Sequence, residues 1–268
     1  MNFRDFLIKE LINAHIPSPR LEADIILKNT VPNYPEISDS EKTVALSYLK
    51  RRLSHEPIDK IIGKKDFYKY QFKVNSDVLS PRPDTEILVE KAISIIKDKS
   101  VKVLDLGTGS GCIVLSILKD CPNAFGVGVD ISAKALKVAK ENAELLKVGD
   151  RIEFINTSFE KTDNIDDKFD IIVSNPPYIP LSEIDELDEE VKNYDPIEAL
   201  VGGEDGFVFY EQIAKVAPLL LKDDGYILLE GGYNQAYKIA DIFIAHGFEV
   251  VEIIKDLAQI NRCVLLKK

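Results

Sequence analysis

From Val101 onward the chain alternates short, nearly continuous apolar runs with amphipathic stretches, and few folds accommodate that alternation. "VKVLDL" (101–106), "AFGVGVD" (124–130), "RIEFIN" (151–156), "FDIIVS" (169–174) and "GYILLE" (225–230) read as strands. "GCIVLSILKDC", "SAKALKVAKENAELL", residues 206–221 and the stretch from Tyr233 to His246 carry helical spacing. Strands without a polar face need cover on both sides, which predicts a parallel sheet between two helix layers. "FEVVEII" and "RCVLLK" have no helix between them and predict an antiparallel pair at one edge. The expected class is therefore α/β, with a Rossmann-like seven-stranded sheet whose last strand is antiparallel.

The N-terminal part has another period. Phe3, Phe6, Leu7, Leu11 and Ile12 form one helical stripe, and Leu21, Ile25, Ile26 and Leu27 a second, with "SPR" before it as a capped start. A third helix is expected through "SEKTVALSYLKRRL". Residues 1–62 thus predict a small helical domain, residues 63–80 a β-hairpin linker, and residues 81–268 the sheet domain, opening with a helix start at "PRPDTE". The N-terminal helix lacks the unbroken apolar core of a signal peptide, and no later run is long enough for a membrane span. Cys112, Cys121 and Cys263 are far apart, as are the three histidines, so neither a disulfide framework nor a metal is expected. The expected compartment is the cytoplasm.

"LDLGTGSGC" lies where the first sheet strand meets a helix. Gly107, Gly109 and Gly111 allow a tight turn and close approach of a ligand to the backbone. Asp130 ends the next strand, where an acid suits ribose hydroxyls. A dinucleotide fingerprint would place its third glycine at 112, where this chain has Cys112. Asp105, just ahead of the turn, disfavours a pyrophosphate and suits a cation such as the α-ammonium of a methionine moiety. S-adenosylmethionine is thus expected over NAD.

"SNPPY" (174–178) ends the fourth sheet strand, beside that turn. Two prolines fix φ and supply no N–H donors. An amide or aromatic amine nitrogen is a poor nucleophile with two N–H groups. The Asn175 side-chain oxygen and the Pro176 carbonyl can accept both hydrogens and aim the lone pair at an activated methyl group. Pro177 stiffens the segment, and the Tyr178 ring can pack on a planar target. Adenine N6, cytosine N4 and a glutamine amide all fit this chemistry.

Charge bears on that choice. The net charge is −11; residues 1–70 carry 12 Lys and Arg against 10 Asp and Glu, and the remainder 22 against 35. Phosphate recognition needs a basic face, so direct nucleic-acid binding is not expected. "SEIDELDEEVKNYD" (182–195) reads as a solvated face or as an acidic lip that steers a basic protein partner.

"EPIDKIIGKKDFYKYQFKVNSDVLSPRPDTEILVE", "LDLGTGSG" and "IIVSNPPYIP" together resemble the bacterial release-factor glutamine methyltransferases. That resemblance implies a class I SAM-dependent methyltransferase, with class-1 peptide chain release factors as protein substrates and the glutamine of their Gly-Gly-Gln loop as the methyl acceptor. The alternatives are an amino-methyltransferase acting on a nucleic-acid base or on a ribosomal-protein glutamine. It also implies that Gly107, Thr108, Gly109, Ser110, Gly111, Asp130 and Asn175 contact the cofactor, with Phe159 against the adenine, while Asn175, Pro176, Pro177 and Tyr178 hold the glutamine. Ser158 departs from the acid common in that family. The tail keeps only Arg262 of the usual "GRDR", a change expected to lie far from the chemistry.

Overall fold

The computed structural model describes residues 2–268, so residue 1 of the expected helical domain lies outside the described residues. The chain divides into two compact units. One runs to Lys64 and also holds Leu187–Tyr194; the other holds Lys65–Glu186 and Asp195–Lys268.

The first unit consists of α1 (Phe3–Asn13), α2 (Pro19–Thr30), α3 (Asp39–Arg52), α4 (Ile58–Ile62) and the short helix Glu189–Tyr194. Leu7, Leu11, Ala23, Ile26, Leu27, Ala45 and Leu49 form its core. Ser38 and Glu41 close a reciprocal capping box on α3. Ser18 does not cap α2 through its side chain; it adopts a left-handed φ of 52°, and Pro19 supplies the preset first turn. Arg52 is 1% exposed, between Glu22 at 2.5 Å and Glu190 at 2.6 Å. Burying a guanidinium requires such partners. One acid of the run 182–195 is therefore spent in this core, and another, Asp195, pairs with Arg82 in the second unit.

The second unit opens with the hairpin β1 (Lys64–Phe67) and β2 (Tyr70–Lys73). Phe67 and Phe72 enter its core, and Tyr68, Lys69 and Tyr70 converge on Asp120, so the expected linker is built into this unit. α5 (Glu86–Ile96) follows a single 3-10 turn, Pro83–Thr85. Then come β3 (Lys102–Leu106), α6 (Cys112–Asp120), β4 (Phe125–Asp130), α7 (Ala133–Leu146), β5 (Ile152–Asn156), β6 (Phe169–Ser174), α8 (Val208–Leu220), β7 (Leu221–Glu230), α9 (Ala236–Ile244), β8 (Glu249–Lys255) and β9 (Asn261–Lys267).

The seven sheet strands lie in the order β5-β4-β3-β6-β7-β9-β8. β5 through β7 pair in parallel, while β9 runs antiparallel to both β7 and β8 and sits between them. The order in which the chain adds strands reverses between the parallel neighbours β3 and β6, the switch point where open α/β sheets bind ligands. Period-two alternation divides the core. Val103, Ile171, Val173, Leu228, Cys263 and Leu265 pack toward α5, α6 and α7. Leu104, Leu106, Ile172, Ile227, Leu229 and Leu266 pack toward α8 and α9.

Candidate active site at the carboxyl ends of β3 and β6

The register places the site. Asp105 pairs with Val173, and Ser174 pairs with Leu229. Continued past the strand ends, this register brings Asn175 level with Gly107, two steps beyond Asp105–Val173, and with Glu230, one step beyond Ser174–Leu229. Ser174 locks this end by donating its hydroxyl to the Leu106 carbonyl at 2.5 Å.

The turn after β3 satisfies itself. Gly107, Gly109 and Gly111 have φ of 76°, 56° and 81°, the left-handed region that glycine enters without strain. The Gly107 and Thr108 N–H groups donate to the Val129 carbonyl, and the Gly111 N–H to the Thr108 carbonyl. The Gly109 N–H donates to Asp130 Oδ2 at 2.9 Å. These amides are spent on the chain, which removes the donors a pyrophosphate would need. The turn instead exposes backbone: nothing lies within 4 Å of where a Cβ of Gly109 would stand. The Phe159 ring walls the other side, 3.2 Å from where a Cβ of Gly107 would stand, and packs edge-on against Phe209.

Two acids frame this turn. Asp105 is fully buried; Oδ2 accepts from the Thr108 hydroxyl at 2.7 Å, and Oδ1 has no partner. Burial pushes its carboxyl up to about 7. Asp130 accepts from the Gly109 and Ser132 backbone N–H groups, and burial raises its carboxyl too. A buried acid with an orphaned oxygen beside an open glycine suits a cationic ligand, so these residues fit the aminoacyl and ribose ends of S-adenosylmethionine. Thr108 and Ser110 turn their side chains inward; both Thr108 backbone groups bond within the chain, and the Ser110 carbonyl takes a hydrogen bond from Asn142.

The segment after β6 is held differently. Asn175 Nδ2 donates to the Thr85 hydroxyl at 3.2 Å. No donor among the described residues meets Asn175 Oδ1 or the Pro176 carbonyl. Tyr178 is clamped from behind: Gln235 Nε2 donates to its carbonyl at 2.9 Å, and Ile179 bridges Val201 in parallel. A Cβ on Gly202 would stand 2.8 Å from the Pro177 carbonyl oxygen, and one on Gly206 would stand 2.4 Å from that of Tyr178. Burial pushes the Tyr178 phenol up to about 12, so it stays neutral at physiological pH.

Three features escape sequence reasoning. Thr85 lies inside "PRPDTE", a segment whose sequence suggests a helix start or a pocket lining without marking this residue, and it reaches the Asn175 amide. Glu230 ends β7 beside Asn175, 2% exposed. Arg262 corrects the expectation that the last strand is remote: β9 runs antiparallel, so its start lies beside the end of β7. There Arg262 pairs with Asp84 at 3.1 Å and donates to the Gly231 carbonyl at 3.2 Å. The run "GGEDG" was the one visible signal for the clamp behind Tyr178.

A family profile described as "Methyltransferase domain" matches residues 97–259. The "Release factor glutamine methyltransferase" of Thermodesulfovibrio yellowstonii is 42% identical over 237 residues, covering 87% of this chain and 84% of that protein. The "Bifunctional methyltransferase" of Rickettsia prowazekii is 42% identical over 293 residues, 98% of this chain and 55% of that protein. This chain thus spans about half the length of that relative. The crystal structure of a ribosomal protein L11 methylase from Lactobacillus delbrueckii subsp. bulgaricus shares the fold, with a TM-score of 0.52 at 22% identity over 73% of this chain and 83% of that one.

Proposed function

The chain belongs to the release factor glutamine methyltransferase family, and from that premise we propose that it transfers a methyl group from S-adenosylmethionine to a glutamine side-chain amide of a class-1 peptide chain release factor. The single observation that carries this reading is the paired, unclaimed acceptors Asn175 Oδ1 and Pro176 O, next to a glycine turn built for a cationic ligand.

S-adenosylmethionine, when bound, supplies a methyl group on a positively charged sulfur, a good leaving group. The chain's own residues do the rest. Gly107, Gly109 and Gly111 admit the ligand to the backbone, Asp105 balances its ammonium, Asp130 takes the ribose and Phe159 walls the adenine side. Asn175 Oδ1 and the Pro176 carbonyl accept the two N–H hydrogens of the glutamine amide. That grip resists delocalisation of the nitrogen lone pair and points it in line for attack. Two preorganised acceptors also stabilise the positive charge that develops on the nitrogen. The Tyr178 ring offers a flat apolar wall for the carboxamide. No base is required before attack; the alkylated nitrogen is acidic and sheds its proton to water.

A glutamine is favoured over a nucleic-acid base on charge, because the chain is strongly acidic overall. Incubation with tritiated S-adenosylmethionine and purified release factor tests the assignment. Label is expected on the wild-type Gly-Gly-Gln loop and absent from a Gln→Ala loop. Equal label on both would overturn it, and transfer to ribosomal protein or nucleic acid instead would favour the alternatives.

A further inference from the structure

A carboxamide presents nearly the same shape after a half-turn about its last torsion, which exchanges oxygen for NH₂. For Asn175 the two poses are chemically opposite. With Oδ1 outward it accepts a substrate N–H; with Nδ2 outward it sets donor against donor. Something in the chain must choose between them.

The structure contains such a selector. Val173 and Leu228 pack toward α5, so alternation puts Asn175 and Glu230 on that same side, where Thr85 stands one residue ahead of α5. Asn175 Nδ2 lies 3.2 Å from Thr85 Oγ1. A threonine hydroxyl that accepts must send its single hydrogen elsewhere, and its neighbour Glu230 offers carboxyl oxygens. Glu230 Oε2 is buried without a partner. Arg262, paired with Asp84, pins the residue just before Thr85.

We propose that Glu230 and Thr85 are positioning residues that hold the Asn175 carboxamide with its NH₂ end inward, so that only its oxygen meets the substrate amide. The ionised carboxylate has lone pairs and no hydrogens, so it draws donors from both Thr85 and Asn175 and rejects the flipped pose. This ordering runs from Asn175 through Thr85 to Glu230 in one direction of donation. Burial pushes the Glu230 carboxyl up to about 7, and the neighbouring donors Thr85 and Asn175 oppose that rise. A buried acid is otherwise costly to keep at a strand end. The inference rests on the amide-methylation reading given above.

Single-turnover methyl transfer to release factor tests it, together with the dissociation constant for S-adenosylhomocysteine. Thr85→Val keeps the shape and loses the hydroxyl; Glu230→Gln keeps the shape and adds donors. Each is expected to slow transfer by about 10²-fold, the scale of a misplaced reactive group. Product affinity and the KM for release factor should stay nearly unchanged, and Thr85→Ser should restore most of the rate. In an Asn175→Ala background, Glu230→Gln should cost nothing further, because its route of action is gone. Unchanged rates in Thr85→Val, failure of Thr85→Ser to restore the rate, or an equal Glu230→Gln loss with and without Asn175 would each overturn the inference. A wild-type chain that labels no glutamine overturns the parent reading instead, and this one with it.

Discussion

The turns after β3 and β6 lie side by side yet are built on opposite plans. The first consumes its own amides: Gly107, Thr108, Gly109 and Gly111 all donate within the chain, and what remains is open backbone flanked by acids. The second keeps its acceptors unclaimed and takes its support from elsewhere, from Thr85, Gly202, Gly206 and Gln235. The proposed methyl transfer calls for this division between donor and acceptor. One partner is cationic and is held by shape and negative charge. The other is neutral and must be oriented through its two hydrogens.

The contrast can be broken from either side. The largest effect is expected from Asn175→Ala, which removes one of two preorganised acceptors and should slow the chemical step by about 10²–10³-fold. Cofactor affinity, measured by calorimetry, should change far less. Gly206→Ala comes next. Its Cβ would collide with the Tyr178 carbonyl oxygen at a φ of 83°, so the clamp must shift. A displacement of that kind should lower kcat/KM by about 10²-fold while the donor still binds, which equilibrium dialysis would show.

On the other side, Asp105→Asn should weaken donor binding by about tenfold or more, the scale of one lost charge-assisted contact. It also carries a pH signature. The Asp105 carboxyl is raised from 3.8 to about 7, so the folded chain binds more protons than the unfolded one across that window. The ligand-free wild type should therefore lose stability as pH rises through it, and Asp105→Asn should flatten part of that loss. Thermal melts at pH 4 and pH 8 measure the difference; equal gains at both would contradict the assigned burial. The smallest effect is expected from Gly109→Ala. Its site is open, so the cost is the left-handed backbone alone, about 1 kcal/mol. A thermal melt of the ligand-free chain should show that small loss of stability, with kcat at saturating donor intact.

Much of this site is legible along the chain because its constraints are local. Alternate glycines declare a left-handed turn, Asp105 and Asp130 sit at strand ends, and Pro176 and Pro177 announce rigidity in any fold. The strands β3, β4, β5 and β6 follow from apolar runs with bounds within a residue of the structure. What escaped depends on contacts between distant positions. Thr85 and Asn175 are 90 residues apart, and only the sheet register and the placement of α5 join them. Arg262 reads as peripheral from the sequence, yet the start of the antiparallel β9 lies at the site end of the sheet, beside the end of β7. The acidic run 182–195 reads as a solvated face or an acidic lip, yet Glu190 pairs in the core of the helical unit and Asp195 with Arg82.

The sequence alone determined which residue types stand at the candidate site, since backbone restriction, charge and hydrogen-bonding capacity belong to residue types and travel with them into any environment. Only the tertiary structure decided which way Asn175 faces and which groups hold it there. Orientation is set by partners, and partners are chosen by strand register, which no local stretch of chain encodes.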